Sequence, residues 1–195
     1  MSGRVRCGAP AVPGRGRGPA VSLGAVVLEI RPVRPDEYEA LGALTVAAYE
    51  GLGGMDLGDY AIELANVAER AALADVLVAV SEGRVLGGVT YVPAHDNPYA
   101  EDLAAGEVGI RMLAVDPSAQ GLGVGRALMD AALDKARRAG VRGVALHSTP
   151  VMRSAHRLYE SLGFRRAPAR DLDLADVYLQ SFVLELHGSA PLESP

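Results

Sequence analysis

Residues 110–128 constrain this chain more than any other stretch. Ile110, Arg111, Met112, Leu113, Ala114 and Val115 read as a strand, and Asp116-Pro117 ends it. Gln120, Gly121, Leu122, Gly123, Val124 and Gly125 then form a glycine-rich turn, and a helical apolar period begins at Val124. A strand that runs through glycines into a helix leaves the first-turn N–H groups unpaired, beside the positive end of the helix dipole. Glycines let oxygen atoms approach that backbone closely, so the segment is built to hold a phosphate or pyrophosphate. Two common nucleotide signatures fail on residues. The dinucleotide fingerprint G-x-G-x-x-G would need glycine where Arg126 or Leu128 stands, and Ala145 occupies the place of the expected acid. No Gly-Lys followed by Ser or Thr provides a phosphate loop of the Walker type.

The flanking sequence predicts the rest of an α/β domain. Val26–Ile30 reads as a first strand. Pro35-Asp36-Glu37 opens a helix with Leu41, Leu44, Thr45 and Ala48 on one face. Asp59 is placed to cap a second helix carrying Leu64, Val67, Ala68 and Ala71. Val76–Val80 and Val85–Val92 form a hairpin around Gly83. After a polar segment over 93–106 come a strand at Val108–Val115, a helix from Val124 to Ala139, a strand at Gly143–Ser148, a helix from Pro150 to Leu162 and a strand at Val177–Leu186. The order β-α-α-β-β-β-α-β-α-β describes a mixed, mostly antiparallel central sheet with helices on both faces and one right-handed parallel crossover. The loops at 51–58 and 93–106 are the longest, and they are expected to form the substrate mouth.

Length and charge limit what such a domain does. The 195 residues, 49% of them hydrophobic and 22% charged, suit one globular core. We expect residues 1–24 to be an unstructured extension, 25–187 the folded domain, and 188–195 a loose tail. The net charge is −5, but the first 24 residues hold Arg4, Arg6, Arg15 and Arg17 and no acid. The remainder therefore has 15 basic and 24 acidic residues, a net −9, which argues against a nucleic-acid partner. Cys7 is the only cysteine, so neither an internal disulfide nor a cysteine-rich metal site is expected. No run of 18 apolar residues occurs, so no membrane partner is expected, and the reducing cytoplasm is the expected address.

The pattern Gln120-x-x-Gly123-x-Gly125, directly after Leu113-Ala114-Val115-Asp116-Pro117, resembles the coenzyme A signature of the GNAT acyltransferase superfamily. The segment Ala155-His156-Arg157-Leu158-Tyr159-Glu160-Ser161-Leu162-Gly163-Phe164 is similar to that family's A-x-x-L-Y-x-x-x-G-F motif, at its usual distance downstream. The resemblance spans about residues 26–187 and implies the GNAT fold, with acetyl-CoA as cosubstrate and no metal. It also implies that the strand bulges and splays from its neighbour. Leu113, Ala114 and Val115 would then hold the pantetheine arm, and Gln120, Gly121, Leu122, Gly123, Val124, Gly125 and Arg126 the pyrophosphate. Tyr159 would protonate the leaving thiolate.

The implied activity is transfer of an acetyl group to a primary amine, by direct attack in a ternary complex. The acceptor would be an amine-bearing small molecule or a peptide N-terminus, and the resemblance is compatible with a homodimer. Two positions depart from the family pattern. Gly109 stands where a glutamate is common, leaving Glu107, His147 or water as the base. Met152 replaces a frequent asparagine, with Thr149-Pro150 still available to start the helix. The alternative is a non-catalytic module of the same fold that binds coenzyme A as a sensor or partner subunit. Asp56, Asp59, Asp96, Glu101 and Asp102 near the two long loops would favour a cationic acceptor.

Overall fold

A computed structural model describes residues 20–23, 26–52, 57–93, 95–174 and 177–186. Among the described residues, nine strands form one sheet: β1 (Ala20–Leu23), β2 (Val26–Pro32), β3 (Asp75–Ser81), β4 (Arg84–Val92), β5 (Glu107–Val115), β6 (Gly143–Ser148), β7 (Arg165–Arg166), β8 (Leu172–Leu174) and β9 (Val177–Glu185). The helices are α1 (Tyr38–Glu50), α2 (Tyr60–Ala65), α3 (Val67–Leu73), α4 (Val124–Arg138) and α5 (Arg153–Ser161). The strand order is β1-β2-β3-β4-β5-β6-β9-β7, with β8 paired to β9. Among the described strands, only β5 and β6 run parallel, and α4 makes the crossover between them.

Strand alternation assigns the two helical layers. Along β3, Val76, Val78 and Val80 point to one face and pack with Leu41 of α1 and Val67 of α3. Ala79 points to the other face, where Leu28, Ile30 and Val89 meet Leu128, Ala132 and Leu133 of α4. The expected helix period is visible in α4, which buries Val124, Ala127, Leu128, Ala132 and Ala136, and places Lys135, Arg137 and Arg138 at its carboxyl end, where cations complement the dipole. The sheet is thus covered on both sides, as the sequence pattern predicts. No described helix is long and apolar enough to cross a membrane.

Several local expectations are corrected. Ala20–Leu23 lies within the stretch expected to be loose, yet it pairs antiparallel with Val26–Glu29 as β1. Residues 1–19 and 187–195 lie outside the described residues. The second predicted helix is two helices, broken at Asn66 (φ −80°, ψ 67°). The Asn66 side chain accepts from the Glu69 N–H at 3.3 Å and donates to the Glu69 carboxylate at 2.6 Å, a local cap that competes with continued helix. Asp59 makes no side-chain cap bond. The last helix starts at Arg153 with Met152 as its N-cap, not at Thr149-Pro150. Pro35–Glu37 is a separate 3₁₀ turn, in which the Glu37 carboxylate accepts from the Arg34 N–H at 2.8 Å and from Arg31 at 2.6 and 2.8 Å. The short strands β7 and β8 have no counterpart in the sequence prediction.

Candidate active site

The sheet opens between its two parallel strands. The β5–β6 register runs from Glu107↔Gly143 to Ile110↔Leu146 and stops, although β5 continues to Val115 and β6 to Ser148. Beyond that point each strand keeps only its outer partner. β5 stays with β4 as far as Gly87↔Val115, and β6 stays with β9 through Ser148↔Gln180. A bulge accompanies the opening. Thr90 pairs with Arg111 and Gly88 with Ala114, so Met112 and Leu113 together oppose Val89 alone. Met112 carries the extra turn with φ +50°, a conformation few non-glycine residues adopt. The expected bulge and splay are both present, and Leu113, Ala114 and Val115 form the β5 wall of the gap.

The glycine-rich turn stands at the end of that wall. Asp116 accepts from the Ser118 N–H at 2.8 Å and starts a 3₁₀ turn, Pro117–Ala119. Gly121 (φ +78°) and Gly123 (φ +81°) then occupy the left-handed region, where a Cβ is strained. Gly123 is the N-cap of α4, and no side chain caps that helix, so its first-turn N–H groups are left for a ligand or water. Gly125 differs from its neighbours: a Cβ there would touch Val115 at 3.5 Å and Leu158 at 3.6 Å, ordinary contact distances. It therefore lies where α4, α5 and β5 meet rather than in the turn itself. Gln120, Gly121 and Leu122 are exposed, and the Arg126 guanidinium donates to the Ser161 hydroxyl of α5 at 2.5 Å.

Tyr159 lies on the α4 side of the sheet. It is buried, with its ring 5.7 Å from that of Phe182 and 6.0 Å from that of Phe164. Burial pushes its hydroxyl well above the ordinary tyrosine range, so it carries its proton at neutral pH. Glu107 is placed differently. It sits at the paired end of β5, four residues before the opening, and its two oxygens accept from Arg170 at 2.8 and 3.0 Å. It also accepts from the Ala104 N–H at 2.9 Å. Burial raises its pKa, but the Arg170 fork and the backbone bond outweigh this and hold it below the usual range. A carboxylate tied in this way is a poor proton acceptor, which counts against Glu107 as the base.

The opposite face of the opening holds a cluster that the sequence reading only half found. Arg111 and His147 are the first residues past the last β5–β6 pair. Since Ile110 and Leu146 face α4, alternation turns these two toward the α1 face. Glu101 joins them from the 93–106 loop, at 2.6 Å from Arg111 and 3.6 Å from His147. The acidic loop is therefore largely spoken for, because Glu101 pairs with Arg111 and Asp102 with Arg170 at 2.9 Å. Asp59 and Asp96 are exposed, and Asp56 is outside the described residues. An arginine inside the apolar strand Val108–Val115 was the available signal for Arg111; its partner in a distant loop was not readable.

Comparison with known proteins places this geometry. An acetyltransferase of the GNAT family from Staphylococcus aureus Mu50 superposes with a TM-score of 0.64 at 17% identity, covering 82% of this chain and 99% of that one. A GNAT family acetyltransferase from Brucella melitensis, solved in complex with acetyl-CoA, superposes with a TM-score of 0.55 at 26% identity, covering 79% of this chain and 86% of that one. The open sheet, the splayed strand pair and the glycine-rich turn are thus those of the N-acetyltransferase fold. Residues 39–164 match the Acetyltransferase (GNAT) family, and the chain belongs to it. A mycothiol acetyltransferase of Sanguibacter keddieii is 36% identical over 161 residues, 82% of this chain and 47% of that protein. The chain spans less than half the length of the curated relatives first matched.

Proposed function

We propose that this protein transfers the acetyl group of acetyl-CoA to a primary amine by direct attack in a ternary complex. The observation that carries the reading is the opening of the sheet past Ile110↔Leu146, beside the uncapped start of α4. The first feature leaves a slot walled by strand backbone, the second an anion cradle of backbone N–H groups in which Gly121 and Gly123 carry no Cβ. Acetyl-CoA supplies the activated acetyl group. Leu113, Ala114 and Val115 hold the pantetheine arm through backbone groups, and the N–H groups from Gln120 to Arg126 hold the pyrophosphate. The Leu113 N–H polarises the thioester carbonyl, a donor preorganised by the bulge at Met112. Tyr159 keeps its proton until the sulfur departs and donates it there. Holding amine and thioester together lowers the barrier by proximity.

The test is transfer of labelled acetyl to a panel of primary amines: an amino sugar, an amino acid such as aspartate, a polyamine and a peptide with a free N-terminus. We expect label in one class above the others, with release of one thiol per acetyl transferred. Thiol release that never exceeds the hydrolysis seen without amine, across the whole panel, would contradict the proposal and favour a module that only binds coenzyme A.

A further inference from the structure

An amine attacks a thioester only as the free base, and the tetrahedral adduct must lose an N–H proton. Glu107 is held by Arg170, and Gly109 has no side chain to offer, which leaves His147 or water to take that proton. We propose that His147 is the general base of the transfer and that Glu101 positions it. This inference rests on the acetyl-transfer reading above. As the amine nitrogen bonds to the acetyl carbon, its proton passes to Nε2 of His147, directly or over one water. The C–S bond breaks as Tyr159 gives a proton to sulfur; His147 then loses its proton to solvent and Tyr159 regains one from solvent, which restores both groups for the next turnover.

Position, burial and partners each support the assignment. His147 stands at the apex of the opening, one residue past the last β5–β6 pair, on the face away from α4. Its side chain is 3% exposed, and Nε2 has no hydrogen-bond partner among the described residues. A buried imidazole nitrogen left unpaired costs stability unless a ligand or water completes it. Nδ1 lies 3.6 Å from the Glu101 carboxylate, too far for a good hydrogen bond to a neutral ring but within ion-pair reach of an imidazolium. Glu101 is itself fixed by Arg111 at 2.6 Å, and Arg111 donates to the Tyr99 carbonyl at 3.1 Å. The carboxylate is therefore waiting for the charge that His147 acquires as it takes the proton.

The charged and polar groups around His147 come from three segments. Glu101 and Asp102 approach from the loop, Arg111 from β5, and the Arg170 backbone from the turn after β7. Burial lowers the His147 pKa, Glu101 raises it, the Arg170 backbone raises it, Arg111 lowers it and Asp102 raises it, and the sum lies below the ordinary histidine value. His147 is then neutral near pH 7 and able to accept a proton.

The experiment is the pH profile of kcat/KM from about pH 5 to 9 with the best amine of the panel, using the full chain. Wild type should lose activity as pH falls through a pKa below the ordinary histidine value. His147→Gln should lower kcat by about 10²-fold and abolish that limb, with the KM for acetyl-CoA unchanged. Glu101→Gln keeps the histidine but removes a group that raises its pKa, so the limb should move to lower pH. Ionisation of the amine itself gives a limb that neither substitution moves. A wild-type rate and limb in His147→Gln would overturn the assignment and leave acetyl transfer standing. If His147→Gln does not fold, an unmoved limb in Glu101→Gln overturns it. Absence of transfer by the wild-type chain overturns both.

Discussion

Replacing Tyr159 with phenylalanine is expected to lower kcat by about 10²–10⁴-fold, the usual contribution of a positioned proton donor. The substitution keeps the ring and therefore its packing against Phe164 and Phe182, so the melting temperature should change little. Only the hydroxyl is lost. That hydroxyl is buried and its pKa is pushed up, so it holds its proton near pH 7 and is no phenolate base there. The same apolar surroundings would raise the pKa of a departing thiol, which keeps donor and acceptor closer in strength than they are in water. The loss should fall on kcat with the KM for acetyl-CoA nearly unchanged, the signature of an interaction made in the transition state alone. Steady-state kinetics with the best amine checks this. An unchanged kcat would remove Tyr159 from the chemistry and return it to the core.

Replacing Gly87 with alanine tests the wall of the opening instead of the chemistry. Gly87 pairs with Val115 at the end of β5, and a Cβ there would come within 2.6 Å of the Ala114 carbonyl oxygen. It would also press on Leu128 and Val124 of α4 at 3.2 Å each. Backbone has to move, and overpacking of this kind costs about 1–3 kcal/mol. At about 2–4 °C per kcal/mol for a domain of this size, the melting temperature should fall by about 2–12 °C. The segment displaced is the one that carries Ala114 and Val115, so the KM for acetyl-CoA should rise as well, by about tenfold if 1.4 kcal/mol of binding is lost. Gly125→Ala is the control. Its Cβ meets Val115 and Leu158 at 3.5 and 3.6 Å, and alanine favours helix, so stability should hold. Calorimetry on the two variants separates these expectations. Equal melting temperatures for Gly87→Ala and wild type would mean that β5 yields freely.

What the sequence made legible was whatever lies close along the chain. The helix period of α4, the glycine-rich turn before it and the hairpin around Gly83 all follow from local residue chemistry. The break at Asn66 was hidden because Leu64, Val67, Ala68 and Ala71 keep an apolar period across it while a side-chain bond ends the helix. The bulge was foreseen only through the family resemblance, since a methionine with positive φ carries no mark in the sequence. Strands of two and three residues, as in β7 and β8, are too short for alternation to show. The base was the hardest part. Glu107 looked available because Arg170, its partner, lies 63 residues away. His147 looked structural because Glu101 reaches it from a distant loop, held there by Arg111 of β5.

The central claim is that the opening between β5 and β6, with the turn from Gln120 to Arg126, is an acetyl-CoA site. Thermal unfolding with and without acetyl-CoA tests it most directly. Ligand at about 100 times its dissociation constant adds about 2.7 kcal/mol to the folded state. At about 2–4 °C per kcal/mol, the melting temperature should rise by about 5–11 °C. A melting temperature unmoved by saturating acetyl-CoA and by coenzyme A would contradict the account.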